Sequence, residues 1–138
     1  AVRNLEISSS KGNGYSSFIL GLVYENGKGV EHDMSKSFKY YERSFEQGII
    51  NGLRRIGYCY GNGRGVEQDF NKAKEYFERS SELGNSYAMR NLGVLYANGD
   101  GVEQDYNKAK EYYERSSELG NANAAKELQI LKKRKCKP

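Results

Sequence analysis

The segments ENGKGVEHD (25–33), GNGRGVEQD (61–69) and ANGDGVEQD (97–105) are copies of one another at a constant step of 36 residues. The same step carries Gly12 to Gly48, Gly84 and Gly120, and Gly21 to Gly57 and Gly93. It also links Tyr24, Tyr60 and Tyr96, and Asp33, Asp69 and Asp105. A fixed period of this size constrains the fold more than any single motif does. One such unit cannot bury its own apolar face, so units must stack on one another. With 138 residues the chain has room for a single domain of this kind.

Each unit reads as two helices. In the third, Ala88, Leu92 and Leu95/Tyr96 recur at helical steps and form one apolar stripe. The NGxGV segment then breaks the helix, because glycine accepts positive φ and weakens a helix interior. Asp69 or Asp105 can start the next helix by accepting from its free N–H groups. That second helix carries Phe70, Ala73, Phe77 and Ser80 on one face, and Gly84 closes it in the left-handed conformation. Small Ala73, Ala88 and Gly93 let neighbouring helices approach closely.

The pattern resembles the Sel-1-like repeats, relatives of the tetratricopeptide repeats. It is carried by Ala88, Leu92-Gly93 and Tyr96, then Asn98-Gly99-x-Gly101-Val102, Asp105, Lys108-Ala109, Tyr112-Tyr113 and Gly120-Asn121. The middle copy substitutes Gly52 for Ala88 and Ile56 for Leu92, and the first substitutes Ser16 for Ala88 and Ser37 for Ala109. The resemblance covers residues 12–134 and implies an all-α fold, a right-handed α-α superhelix of helix-turn-helix repeats. The repeats occupy 12–47, 48–83 and 84–119. Residues 1–11 align with the end of a second helix, as a partial repeat or cap. Residues 120–134 align with a first helix in which Gln129 and Lys132 replace the packing glycine and tyrosine, as a capping helix would. A basic tail follows at 132–138. Some bacterial members carry a Cys pair in every repeat; this chain does not, so their oxidised, secreted character is not carried over.

Catalytic chemistry finds little material. The order of glycines at 61–65 follows a helix and fits neither the dinucleotide fingerprint nor a P-loop. Glu67 and Asp69 are too few oxygen ligands for a calcium loop. The one histidine, His32, stands where the later copies have Gln68 and Gln104, which marks a solvated side chain. Cys59 aligns with Val23 and Leu95 and reads as a small buried hydrophobe, while Cys136 lies in an unlike context, so no disulfide framework exists. No catalytic residue, metal or cofactor is expected. A regulatory subunit or hydrolase-like member of the same family would need a cluster of acid, base or metal ligands that the sequence lacks.

The net charge of +4 belongs to one place. Residues 132–138 hold five of the 22 basic residues, and without them 17 basic residues face 18 acidic ones. The body therefore shows no general preference for nucleic acid. Lys132, Lys133, Arg134 and Lys135 can be read as a nuclear import signal, as a tail for nucleic acid or an acidic surface, or as a solvated end that favours the helix dipole. No apolar run is long enough to span a bilayer, no signal-peptide pattern opens the chain, and no glycosylation sequon occurs. These features point to a monomer in the cytoplasm.

The copies differ unevenly. Between 62–83 and 98–119 only three positions differ: Arg64/Asp100, Phe70/Tyr106 and Phe77/Tyr113. Between 49–61 and 85–97 only three agree: Arg54/Arg90, Gly57/Gly93 and Tyr60/Tyr96. The loop and second helix are held while the first helix varies. In the resembled family the first helices line the concave surface, which implies a protein or peptide partner there and a scaffold or adaptor role. Helical spacing and that geometry select Tyr15, Phe18, Ile19 and Leu22 from the first copy. They select Asn51, Arg54, Arg55 and Tyr58 from the second, and Tyr87, Arg90, Asn91 and Val94 from the third. Asn123, Lys126 and Glu127 follow from the cap. Arg54, Arg90 and Lys126 are 36 apart and suit an acidic partner. The competing reading is that these cations pair with neighbouring acids of the chain itself.

Overall fold

A polar side chain opens most of the helices. Asn13, Asp33, Asp69, Asn85, Asp105 and Asn121 each accept, through Oδ1, the backbone N–H three residues on, at 3.0–3.1 Å. Each such cap is worth about 1 kcal/mol. The helices that result, in a computed structural model describing residues 2–135, are α1 (Val2–Ser10), α2 (Gly14–Asn26), α3 (Met34–Glu46) and α4 (Asn51–Asn62). They continue with α5 (Phe70–Glu82), α6 (Ser86–Asn98), α7 (Tyr106–Glu118) and α8 (Ala122–Lys135). There is no strand among the described residues. The fold is all-α and built of helix-turn-helix repeats, with a first and a second helix in each. Ala1 and residues 136–138, including Cys136, lie outside the described residues.

The shared loop works through backbone geometry. In the middle copy Gly63 and Gly65 have φ of 65° and 74°, a region L side chains seldom enter. Gly61, the first of the three glycines, is instead helical and belongs to α4. The loop turns the chain so that the Asp69 N–H reaches the Tyr60 carbonyl at 2.9 Å, while the Gln68 amide donates to the Gly61 carbonyl at 2.8 Å. Gln104 repeats that bond to Ala97 at 2.8 Å. The glutamine thus helps to end the first helix, a role its replacement by exposed His32 had hidden.

The chain forms two compact units, residues 1–76 and 77–138, with the division inside α5. In the first, Phe38, Tyr41, Ile56 and Cys59 form a core cluster. In the second, Tyr96, Ala109, Tyr113, Ala124, Leu128 and Leu131 do so. Two glycines leave no room for a side chain between packed helices. A Cβ on Gly93 would sit 2.5 Å from the Tyr113 ring, and one on Gly21 would sit 2.5 Å from the Tyr41 ring. Where Ser37 replaces the alanine of the later copies, its hydroxyl donates to the Gly21 carbonyl at 2.6 Å and is satisfied.

The tyrosine pairs divide their labour. Tyr41 and Tyr113 are buried, whereas Tyr40, Tyr76 and Tyr112 are only half-buried. Each of the latter stacks on the tyrosine that ends the preceding first helix: Tyr24, Tyr60 and Tyr96, with centroids 5.8–5.9 Å apart. A lysine lies over the first-helix ring of each pair, Lys36, Lys72 and Lys108 standing 5.1–5.2 Å from the centroids of Tyr24, Tyr60 and Tyr96. Such cation–π contacts are worth about 0.5–1 kcal/mol each at exposed sites.

Candidate functional site

None of the residues selected from the sequence as partner-facing is buried. Within the first unit, α2 exposes Tyr15 at 69% and Ile19 at 42%, with Phe18 and Leu22 half-buried against the core. On α4, Asn51 is exposed, and Arg54, Arg55 and Tyr58 are half-buried. Tyr15 and Asn51 line one cleft of about 200 Å³ with Gly48, Ile49 and Ile50. Ile50 is half exposed and had not been singled out; Ser86 and Ala122, one and two periods on, gave no apolar signal.

A polar cluster closes the other end of this face. The Tyr41 hydroxyl donates to Glu25 Oε1 at 2.8 Å, and Arg55 Nη1 meets Glu25 Oε2 at 3.5 Å. The Arg55 guanidinium also lies 5.9 Å from the Tyr41 ring centre. Burial, then the hydrogen bond and charge of Glu25, raise the Tyr41 phenol well above its ordinary range. Burial, reinforced by Glu25, likewise pushes the Cys59 thiol up to about 12, so this cysteine is packing and not a nucleophile.

The second unit builds the same cluster with its charges exchanged. Arg90 on α6 grips Glu127 on α8: Nε donates to Oε1 at 2.6 Å, and Nη2 meets the same oxygen. Tyr113 on α7 hydrogen-bonds Glu127, and burial together with that carboxylate raises its phenol. The arginine comes from the later first helix in one unit and from the earlier in the other. For Arg55 and Arg90, pairing with an acid of the chain itself is what the structure shows.

Beside this cluster lies a pocket of about 320 Å³. Of the residues selected from the third copy and the cap, Arg90, Val94 and Glu127 line it, and Tyr87, Asn91, Asn123 and Lys126 stand outside it. Its remaining apolar wall, Ala97, Ile130 and Leu131, had been missed, while Arg134 at its rim belongs to the basic run. The signal was available, since Ile130 is one period from Val94. Lys132, Lys133 and Arg134 are exposed and helical, so the basic run begins within α8.

Among the described residues no group of three or more His, Cys, Asp and Glu side chains could hold a metal ion. No described helix is long and apolar enough to cross a membrane.

The Sel1 repeat profile matches residues 14–49, 50–85 and 86–121. No curated protein matches the chain. Among solved structures, a Sel1 repeat protein from Oxalobacter formigenes is 30% identical with a TM-score of 0.80, over 92% of this chain and 52% of that one. The protective antigen c5321 of uropathogenic Escherichia coli, which displays the same kind of repeat fold, is 28% identical with a TM-score of 0.86, over 94% of this chain. Cysteine rich protein B of Helicobacter pylori, at 22% identity and a TM-score of 0.68, shares the fold. The chain spans about half of the Oxalobacter formigenes protein, 52%, and 28% of c5321.

Proposed function

The chain belongs to the Sel1 repeat family, and from that premise we propose that it is a non-catalytic scaffold or adaptor module. Sel1 repeats are commonly protein-interaction modules. The partner is a protein or peptide, held on the faces that α2 and α4 expose in the first unit and α6 and α8 in the second.

One observation carries this reading. The boundary between invariant and variable sequence in the second and third copies falls at the end of the first helix, and the variable residues include accessible ones. Asn51/Tyr87, Arg55/Asn91 and Tyr58/Val94 all differ and none is buried. Packing alone would hold buried positions and release exposed ones on both helices. Here the exposed polar and charged residues of α5 and α7 are held as well, among them Glu75/Glu111 and Arg79/Arg115.

The test is capture of partners by the intact chain, compared between variants. Tyr15→Asp with Tyr87→Asp alters two exposed rings on first helices, and Glu75→Lys with Glu111→Lys alters two exposed acids on second helices. The first pair should abolish capture with the helical circular dichroism intact, and the second pair should retain it. If the first pair keeps every partner while folded, the reading is wrong.

A further inference from the structure

The pocket between α6 and α8 has apolar walls in Val94, Ala97, Ile130 and Leu131. Its inner charges cancel, because Arg90 and Glu127 hold each other. The charge left over is that of Arg134 at the rim. Along α8, Lys126, Ile130 and Arg134 are four residues apart and follow one ridge of the helix. All three are exposed, Ile130 at 54%. The helix as a whole carries five cations and one acid, and that acid is Glu127.

We propose that this pocket seats one aliphatic or aromatic side chain of a partner segment that bears an acidic side chain on each side of it. The proposal rests on the reading of the chain as an interaction module and adds what the partner looks like at this one place. The spacing is compatible: one cation lies a turn before Ile130 and one a turn after, about 6 Å each way along the axis. In an extended segment, acids two residues from the anchor lie about 7 Å from it. Cations on both sides favour an internal stretch of chain, since a chain terminus would bring its single carboxylate to one side only. Nucleic acid would satisfy the cations but leave Val94 and Ile130 uncovered. The apolar contact supplies the affinity, and the two charge pairs set the register.

The probe is a fluorescein-labelled peptide with a Glu-Ser-Leu-Ser-Glu core between Gly-Ser flanks. One control peptide replaces its Leu by Ser and a second replaces both Glu by Gln. Binding to the intact chain is read by fluorescence anisotropy at moderate salt, and its place by backbone amide shifts. The parent peptide should shift Val94, Ile130 and Arg134, and each control should bind about tenfold more weakly. Ile130→Gln, at an exposed position, should cost a similar factor without lowering Tm. Equal binding by the Ser peptide would reduce the effect to charge attraction and overturn the proposal. Absence of binding at millimolar peptide would overturn it too. Shifts confined to α2 and α4 would overturn it while leaving the interaction module standing; that broader reading fails separately, in the capture comparison above.

Discussion

Arg90 and Glu127 stand 37 residues apart in the sequence, yet the guanidinium of one closes on the carboxylate of the other at 2.6 Å, from α6 to α8. With Tyr113 they form the counterpart of Arg55, Glu25 and Tyr41. The register position of these tyrosines holds Phe77 in the middle copy, and one period from Glu25 and Glu127 stand Gly61 and Asn91. The hydroxyl and the carboxylate are present or absent together. That is what the cost of burying a phenol without an acceptor demands.

Glu127→Gln keeps the shape and removes the charge. The guanidinium loses its ion-pair partner while Tyr113 retains an oxygen to donate to. Both ionic side chains are partly exposed, at 33% and 22%, so the expected loss is modest. It should be about 1 kcal/mol in urea denaturation. Glu114→Gln, in the exposed 3.8 Å pair with Lys110, should cost about 0.3 kcal/mol or less. Equal losses would mean that the α6–α8 pair behaves as an ordinary surface contact.

Two glycines should respond in opposite directions. Gly93→Ala forces a Cβ to within 2.5 Å of the Tyr113 ring and should cost about 1–3 kcal/mol. Gly61→Ala adds a Cβ at 3.6 Å from that of Ala73, an ordinary contact, and Ala97 already fills this register in the third copy. Since Gly61 is helical, the alanine should gain about 0.5–1 kcal/mol. Thermal melts of the two variants suffice to check the signs.

Alkaline pH should unfold the chain through its buried phenols. Tyr41 and Tyr113 have raised pKa values in the fold, chiefly by burial and then by Glu25 and Glu127. Above the ordinary value of 10.0 the unfolded chain sheds protons that the folded chain keeps. The folded state then binds more protons, and stability, full below pH 10, falls as pH rises. Phenolate absorbance should therefore appear in two phases, the second coincident with loss of helix. Tyr41→Phe with Tyr113→Phe should flatten the alkaline decline; an unchanged slope would assign it elsewhere.

The repeat, the helix caps and the loop glycines were legible because each acts within a few residues of itself. Asp33, Asp69 and Asp105 cap where their spacing places them. The polar clusters were not legible, since they depend on departures from the repeat. Glu25 faces Gly61 and Ala97 in register, and Arg55 faces Asn91 and Glu127, so no recurring pattern marks either pair. Tyr40, Tyr76 and Tyr112 recur as faithfully as core residues, yet they are only half-buried and stack on Tyr24, Tyr60 and Tyr96. Ile130 was legible too, one period beyond Val94, as a large exposed apolar side chain on an otherwise largely polar face.

The most direct measurement of the central claim is amide hydrogen exchange on the chain with and without a captured partner. Binding should slow exchange in α2 and α4 or in α6 and α8, with α3, α5 and α7 unchanged. Protection confined to α3, α5 or α7 would contradict the account, because the partner would then rest on the helices whose sequence the repeats hold constant.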